Sequence, residues 1–468
     1  MRIASAIVAL LPLISFLIFR DRRDLLGPRN LFSVLYIVGI MIPTLYFVAP
    51  SNAMSLNNSL LSEALLSDDA FFSYVALQVA SYHCVLLGIE AGFGRARIKQ
   101  ASVRDSSDLS SGYRLWGCVF IVLGMLSFAG IMGSVGGFWY FISHLQYRTF
   151  LTRNLDVLSW ILPFAQYGVL LLVASRINKK NPITLSIAVL ILLTGLMCGL
   201  GGRKTLLILV VEVVVIYHYM IDEIKLEKLL TVRNITIAAL LLLFFVVASD
   251  LRVEGAFDQL ITDPALFVQE SFSDLLRSLV GESYVPFYVE VVNYFSNHEL
   301  WGGSSFLGLL TAIVPSSLFP DKPPVDDGAY LYSICQGRID IAPPMPFNQL
   351  NGSSLPLETF GSMYANFGSP GLLIGMFLLG GCYGFVYRKM KESSCCLFWT
   401  IMYLQVILTF QLSTLRIFQL FECAVVLYLV IKLSESFVFW SDKRKSRTSG
   451  PPSCPSRSAK DTMKTKRF

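Results

Sequence analysis

Residues 115–138 read LWGCVFIVLGMLSFAGIMGSVGGF, and this stretch decides the fold class. It contains no charged residue and exceeds the roughly 20 apolar residues that a helix needs to cross the hydrocarbon core of a bilayer. Comparable apolar runs lie on both sides of it, at 3–19, 31–50, 70–92, 158–175, 183–200, 206–220, 234–249, 369–387, 396–412 and 417–433. The sequence therefore predicts an all-α polytopic membrane protein with about 11 transmembrane helices.

The composition excludes a soluble protein. Hydrophobic residues make up 54% of the 468 residues and charged residues only 15%, whereas a soluble domain carries roughly 25% charged residues. The mean hydropathy is +0.60. A net charge of +6 does not indicate nucleic-acid binding, because the Lys and Arg residues lie in short loops and in the C-terminal tail.

The positions of Lys and Arg predict the orientation, since such residues are enriched in cytoplasmic loops. With the N-terminus outside, 28 of the 38 Lys and Arg residues fall on the inner side. An odd number of helices then places the C-terminus in the cytoplasm. The predicted organisation is a membrane domain of eight helices over 1–249, a large external loop over 250–368, a membrane domain of three helices over 369–433, and a basic cytoplasmic tail over 434–468.

The large external loop contains two amphipathic runs, DPALFVQESFSDLLRSLV (263–280) and YVPFYVEVVNYF (284–295). Their apolar residues recur at helical spacing, which predicts helices lying on the membrane surface. The segment SSFLGLLTAIVPSSLF (304–319) is a candidate re-entrant piece. Four prolines between residues 315 and 324 predict a rigid segment that would cover a substrate site at the external face. Lys322 lies on this segment.

Six cations at or near the external side are the candidate substrate-binding residues. A charge close to the hydrocarbon is costly, so it marks a functional site by default. Guanidinium groups match phosphate oxygens bidentately, so helix ends that meet would form a pocket for an anionic head group such as a lipid pyrophosphate. The six are Arg148, Arg203, Lys204, Arg252, Arg277 and Lys322, with Arg153 and Arg416 at similar positions.

The turn GLGGRKT (199–205) carries two of these cations, Arg203 and Lys204. Its glycines allow a tight turn and a close approach to a ligand, and the helix that follows has free N–H groups for an anion. The alternative is a glycine turn whose two cations extend to the membrane interface. The alternative for Arg277, in DLLRSLV, is that it lies on the solvated face of a helix.

Two carboxylates are candidate catalytic bases that would take a proton from a hydroxyl. Glu254 lies in SDLRVEG (249–255) beside Arg252, and Glu358 precedes the ninth predicted helix. The alternative for Glu254 is a local ion pair at a helix end, which contributes little energy. The alternative for Glu358 is a capping or loop carboxylate.

No metal or cofactor site is predicted. The nine Cys and four His residues show neither a CxxC motif nor zinc-ligand spacing. Asp326 and Asp327 are adjacent carboxylates, which alone are a weak indication of a metal.

Four segments resemble the oligosaccharide repeat-unit polymerases of bacteria, the Wzy-type O-antigen polymerases. They are GLGGRKT (199–205), SDLRVEG (249–255), GGSSFLGLLTAIVPSSLFPDKP (302–323) and NFGSPGLLIGMFLLGG (366–381). As a topology, the resemblance covers nearly the whole chain.

This resemblance implies a GT-C-like architecture and a metal-independent, membrane-embedded glycosyltransferase. Such an enzyme would act at the periplasmic face of the bacterial inner membrane and join undecaprenyl-pyrophosphate-linked oligosaccharides into a surface polysaccharide. Its partners would be these lipid-linked substrates, the bilayer and a chain-length regulator. For this chemistry Arg203 and Arg252 are the first candidates for holding the pyrophosphate, with Arg148 and Lys322 in support, and Glu254 precedes Glu358 as the candidate base.

Two other functions remain open. An O-antigen ligase uses the same donor but transfers to lipid A–core. A lipid-linked oligosaccharide flippase or other transporter would show charges near the bilayer midplane and internal repeats. The external helix-end charges favour an enzyme over a transporter.

Overall fold

The chain is a multi-pass α-helical membrane protein. The computed structural model describes residues 1–22, 24–94, 107–152, 155–176, 184–200, 203–224, 256–271, 283–312, 314, 319, 321–351, 353–393 and 396–448, and all regular secondary structure in these ranges is helical. Within them, seven helices are long and apolar enough to cross a membrane: Arg2–Phe19, Pro28–Tyr46, Asp68–Phe93, Ser111–Ser134, Val157–Ala174, Glu358–Glu392 and Thr414–Leu433.

Three shorter apolar helices, Leu185–Gly199, Thr205–Met220 and Leu397–Thr409, coincide with three more of the predicted runs. The run predicted at 234–249 lies outside the described residues. The helical class and the multi-pass character are therefore confirmed, and the number of 11 spans stays a prediction.

We number the α-helices in chain order. In the first half they are α1 (Arg2–Ala9), α2 (Leu11–Phe19), α3 (Pro28–Tyr36), α4 (Ile42–Tyr46), α5 (Pro50–Met54), α6 (Ser59–Leu66), α7 (Asp68–Phe93), α8 (Ser107–Ser134), α9 (Phe138–Ser143), α10 (Arg148–Leu151), α11 (Asp156–Ile161), α12 (Phe164–Ala174), α13 (Leu185–Gly199) and α14 (Arg203–Met220). In the second half they are α15 (Ala256–Thr262), α16 (Val285–Asn297), α17 (Leu307–Thr311), α18 (Gly328–Cys335), α19 (Glu358–Glu392), α20 (Leu397–Thr409) and α21 (Thr414–Thr448).

A close contact between α7 and α19 forms the centre of the bundle. The two helices run parallel, and they meet through glycines. A Cβ atom added at Gly88 would lie 2.0 Å from the carbonyl oxygen of Phe377, and one added at Gly380 would lie 2.1 Å from that of Val85. Small residues let membrane helices approach this closely, so a side chain at either position would push the helices apart.

Two antiparallel pairs pack around this centre. In α8 and α12, a Cβ atom at Gly117 would lie 2.9 Å from the carbonyl oxygen of Gly168. In α13 and α14, a Cβ atom at Gly195 would lie 2.3 Å from Cδ1 of Leu206. In each pair the two helices therefore run in opposite directions, α12 against α8 and α14 against α13.

Side-chain contacts define two faces of the bundle. Glu358, at the start of α19, pairs with Arg416, at the start of α21, and we call this end the loop face. At the opposite end, which we call the tail face, Lys391 near the end of α19 contacts Asp24 in the turn between α2 and α3. His218, near the end of α14, contacts the same carboxylate.

Asp24 joins three helices at the tail face. Its carboxylate lies 3.0 Å from Lys391 Nζ and 3.5 Å from His218 Nε2, and it accepts hydrogen bonds from the hydroxyls of Tyr219 and Tyr387. His218 Nδ1 accepts the N–H of Ile224, so the neutral ring carries its proton on Nε2, towards Asp24. Burial raises the pKa of Asp24, but the bond from His218 and the charge of Lys391 outweigh it and hold this pKa well below its usual range.

The structure differs from the predicted surface position of the segment 284–295. In α16 most side chains are buried in protein, including Val289, Val291 and Val292, and the helix packs against α6, α7 and α19. The other amphipathic run, 263–280, is described only to residue 271. The ninth predicted span also begins earlier than expected, because α19 extends from the membrane run back to Glu358 through a kink at Gly368, where φ is +65°.

Candidate functional site

The candidate site lies at the loop face, where α19 begins and the chain turns from α20 into α21. Glu358 starts α19 with a backbone φ of +52°, a left-handed conformation that is uncommon and costly for a residue other than glycine. Its Oε1 atom lies 3.2 Å from Nη2 of Arg416, and Nη1 of Arg416 donates to Oε1 of Gln419 at 2.8 Å. A strained acidic residue is thus held beside a guanidinium group.

An open pocket lies between α20 and α21, next to this pair. Arg416 and Gln419 line it together with Gln405, Thr409, Phe410, Leu420 and Cys423. Since Arg416 and Cys423 are seven residues apart on one helix, the pocket extends about 10 Å along the helix axis. Its lining combines a cation, two amides and a hydroxyl with apolar side chains, which suits a polar head group at the edge of a membrane.

Hydrogen bonds fix both helix starts that form the site. Thr359, next to Glu358, donates from its hydroxyl to Gln411 Oε1 at 2.6 Å, and this hydroxyl accepts the N–H of Leu412 at 2.7 Å. The turn between α20 and α21 is therefore bonded to the first turn of α19, and the positions of Glu358 and Arg416 depend on each other.

A buried carboxyl lies behind the pair. Asp327, at the end of the proline-rich segment, is only 3% exposed. Its carboxyl accepts a hydrogen bond from the Ser362 hydroxyl, and its backbone N–H donates to Thr414 Oγ1 at 3.3 Å. Among the described residues no cation contacts this carboxyl, and burial raises the pKa of Asp327 to about 7. Asp327 therefore links the loop to α19 through its carboxyl and to α21 through its backbone N–H.

One further buried group belongs to this network. Asn366, on α19, donates from Nδ2 to Ser305 Oγ and to the carbonyl oxygen of Ser362, each at 2.8 Å. Its Oδ1 atom accepts no hydrogen bond within the described part of the chain. The loop segment that carries Ser305 is thus bonded to α19 one turn beyond Ser362.

Two predicted cations have described side chains. Lys322, which lies five residues before Asp327 in the chain, donates from Nζ to the carbonyl oxygen of Val314 at 2.7 Å. Arg148 begins α10. Leu151 in α10 and Leu200 before α14 pack against one hydrophobic cluster that includes Ile131 and Leu162. The helix of Arg148 and the turn before Arg203 thus pack against one cluster, and a basic pocket shared by the two arginines stays a prediction.

The other predicted site residues are described in part or not at all. Arg203 and Lys204 begin α14, one residue earlier than expected, and their side chains lie outside the described residues. Arg252, Glu254 and Arg277 also lie outside the described residues. The described side chains bring together no group of three His, Cys, Asp or Glu residues that would hold a metal ion.

The sequence analysis missed Glu212. This residue lies in the middle of α14, is 1% exposed and accepts a hydrogen bond from Nε2 of Gln405, which lines the pocket. The signal was available, because a single glutamate interrupts the apolar run LLILVVEVVVIYHYM and an ionisable residue inside a membrane helix marks a functional site.

The helices and the site define a membrane protein with a polar, charged pocket at one end of its bundle. Searches with protein-family models, among curated proteins and among solved structures found no match to this chain.

Proposed function

We propose that this chain polymerises polyprenyl-pyrophosphate-linked oligosaccharide repeat units at the periplasmic face of a bacterial inner membrane. In this proposal it is a metal-independent glycosyltransferase with 11 spans, a GT-C-like architecture, an N-terminus in the periplasm and a C-terminus in the cytoplasm. The loop face is then the periplasmic face. The observation that carries the proposal is the pair of Glu358 and Arg416 beside a pocket at this face.

The pair fits the chemistry of glycosyl transfer from a pyrophosphate. The bond between the anomeric carbon of the donor and the pyrophosphate oxygen breaks, and the leaving group keeps the electron pair. Arg416 stabilises the negative charge that develops there, together with Arg148 and the undescribed side chains of Arg203 and Lys204. The hydroxyl oxygen of the incoming unit bonds to the same carbon, and its proton passes to a carboxylate.

Glu358 and Glu254 are the two candidates for this carboxylate. Glu358 is described, contacts a cation and has a strained backbone. Its position close to Arg416 would bring the base within reach of a donor whose pyrophosphate is held by that arginine. Arg252, Arg277 and Lys322 remain candidate contacts to the substrate in the surrounding loop.

The experiment is the glycan ladder from cells that lack the gene and carry one variant each. A polymerase null strain accumulates single repeat units capped on lipid A–core, and wild type restores long chains. We expect Glu358→Gln to lower the rate by about 10²–10⁴-fold if Glu358 is the base. Arg416→Ala should lower it by about 10²–10³-fold, and Arg416→Lys should recover little because the two-pronged contact is lost.

Matched controls lie at the other end of α19. Glu392→Gln and Arg388→Ala remove the same groups from another ion pair and should leave the ladder unchanged at equal protein levels. Glu254→Gln and Arg203→Ala test the undescribed side chains. A normal ladder from both Glu358→Gln and Arg416→Ala would refute this site, and a null strain without any capped core would refute the polymerase.

Glu212 favours a second candidate function, a lipid-linked oligosaccharide transporter. A buried carboxylate in the middle of a membrane helix is typical of proton-coupled transport. Purified protein distinguishes the two functions, because a polymerase joins lipid-linked units in detergent micelles whereas a transporter needs two compartments. Polymer formation in micelles would favour the polymerase, and its survival in Glu212→Gln would show that polymerisation does not require this carboxyl.

A further inference from the structure

A second pocket lies at the tail face, remote from the site described above. It is lined by Arg114 on α8, by Leu172 on α12, by Ser175 and Arg176 directly after α12, and by Ser186, Ile187 and Leu190 on α13. Two guanidinium groups from different helices thus line one cavity. The proposed glycosyl transfer uses none of these residues.

Helix packing places the two arginines together. The glycines Gly117 and Gly168 hold α8 and α12 in close antiparallel contact. Arg114 lies one turn from Gly117 towards the start of α8, and Arg176 lies one turn beyond Leu172, which itself contacts the Gly117 position. Because both helices are rigid over this distance, the two guanidinium groups are preorganised at the same end of the pair.

The pocket is electropositive. No carboxylate of the described residues forms an ion pair with Arg114 or Arg176. Arg176 donates from Nη1 to the hydroxyl of Thr184 at 3.2 Å, and this hydroxyl lies 3.1 Å from that of Ser186. Within the described part of the chain, the two arginines therefore lack a carboxylate partner, and hydroxyl groups lie beside Arg176.

The start of α13 adds to this potential. Thr184 is the N-cap of this 15-residue helix, and its side chain does not cap the free N–H groups, which favour an anion. In the sequence, the adjoining segments 95–106 and 177–183 contain six further Lys and Arg residues and one Asp. Lys and Arg clusters beside membrane helices attract anionic lipid head groups.

We propose that this pocket binds the phosphate of an anionic phospholipid head group, with Arg114 and Arg176 as its two cationic contacts and the hydroxyls of Ser175 and Ser186 beside them. The apolar side chains of Leu172, Ile187 and Leu190 line the same pocket, which gives the acyl chains of such a lipid an apolar contact beside its head group. The ligand is therefore a lipid of the same leaflet rather than a soluble anion. This site is independent of the proposed polymerase activity.

The test is a lipid titration of the purified full-length protein in detergent, followed by native mass spectrometry. The probes are dioleoylphosphatidylglycerol, which is anionic, and dioleoylphosphatidylcholine, which carries the same phosphate without net charge. We expect the wild type to prefer the anionic lipid. Arg114→Ala and Arg176→Ala should each weaken its binding by about fivefold, and the double variant by about 25-fold.

Two further variants keep the test decisive. Ser186→Asp places a carboxylate in the pocket and should weaken binding of the anionic lipid, while an acid in the first turn stabilises α13, so the protein should still elute as a single species. Arg388→Ala removes a guanidinium from the same face outside the pocket and should leave the affinity unchanged.

Three results would overturn the proposal. The first is an affinity for the anionic lipid that is unchanged in Arg114→Ala, Arg176→Ala and Ser186→Asp. The second is an equal loss in Arg388→Ala, which would assign the effect to general surface charge. The third is equal binding of both lipids with displacement by millimolar inorganic phosphate, which would assign the pocket to a free anion.

Discussion

Two buried aspartates, one at each face of the bundle, differ in what surrounds them. Asp24 at the tail face contacts Lys391 and His218 as well as two tyrosine hydroxyls. Asp327 at the loop face has a serine hydroxyl as its described side-chain donor. Burial acts in the same direction on both, yet the pKa of Asp24 is lowered and that of Asp327 is raised to about 7.

The difference shows that burial alone does not decide whether a carboxyl group is charged. The charged and hydrogen-bonding groups that contact the carboxyl decide it. At the tail face a closed set of opposite charges joins the turn between α2 and α3 to the ends of α14 and α19. At the loop face a neutral network supports a neighbouring pair, Glu358 and Arg416, that remains open to a pocket. The first arrangement stabilises the bundle, and the second leaves a cation beside the candidate substrate pocket.

The largest effect expected of a single substitution at neutral pH is on the tail-face aspartate. Asp24→Asn removes the anion but leaves Lys391 and His218 in place, and breaking a buried pair in this way costs roughly 3–5 kcal/mol. We expect the lower end of that range, since the Lys391 side chain is 24% exposed and partly solvated after the change. The free energy of unfolding in mixed micelles, from a titration with sodium dodecyl sulfate, measures it.

Asp327→Asn is the comparison that this prediction needs. An asparagine oxygen still accepts the Ser362 hydroxyl, and no cation loses its partner, so we expect this variant to cost less than Asp24→Asn at neutral pH. Equal losses would show that both carboxyls act as anions, and the contrast between the two faces would fail.

The second prediction concerns pH. Because the folded-state pKa of Asp327 is about 7 and the usual value is about 4, the folded state holds a proton in this interval that the unfolded state has released. Stability from this group is therefore present below pH 4 and is lost as the pH rises towards 7. Relative to Asp327→Asn, the free energy of unfolding of the wild type should fall by about 1.4 kcal/mol per pH unit.

Asp24 should behave in the opposite way. Its lowered pKa means that its contribution is complete above about pH 4 and is lost only as the pH falls further. Between pH 5 and 7 the Asp24 carboxylate adds no slope of its own, so the effect of Asp24→Asn should be flat when both of the proteins compared also carry His218→Gln, which removes the imidazole that faces this carboxylate. A slope in this interval for Asp24, or none for Asp327, would contradict the assigned protonation states.

The sequence predicted the helices better than the contacts between them. Ten apolar runs coincide with described apolar helices. The thickness of the bilayer sets the length of a membrane helix, and an apolar run of that length can be read directly from the sequence. Asp24 and Tyr387 are 363 residues apart, and no local pattern relates them. The same holds for Glu358 and Arg416, which were each noticed as helix-end charges but not as a pair.

The segment now seen as α16 was predicted wrongly for a physical reason. Its apolar residues indicate that something apolar covers the helix, and the sequence does not tell lipid from protein. Glu212 is a different case, since the residue was visible as a charge in an apolar run. Its partner Gln405 and the nearby pocket required the packing of α14 against α20.

A third and smaller effect is expected from the loop-face donor. Ser362→Ala removes the hydroxyl that bonds to Asp327 and leaves the protonated carboxyl with one partner fewer, at a cost of about 1 kcal/mol. The same micelle titration at pH 5 measures this cost. Ser393→Ala, at the other end of α19 where Ser393 Oγ bonds only a backbone carbonyl, is the control and should change less. A loss as large as that of Asp24→Asn would mean that Ser362 bonds to a charged group.

The smallest effect is expected from Lys322, and it tests the comparison most directly. Lys322 lies in the same loop segment as Asp327, but its ammonium group donates to the carbonyl oxygen of Val314. If it does not act as the counter-ion of Asp327, then Lys322→Ala should change the free energy of unfolding by less than about 0.5 kcal/mol and leave the slope between pH 5 and 7 as it is in the wild type. Lys391→Ala, the matched change at the tail face, should be costly because it leaves Asp24 without its strongest cation. A loss of this slope in Lys322→Ala would make Lys322 a partner of Asp327. Both aspartates would then have a cation, and the two faces would differ only in how far that cation lies from the carboxyl group.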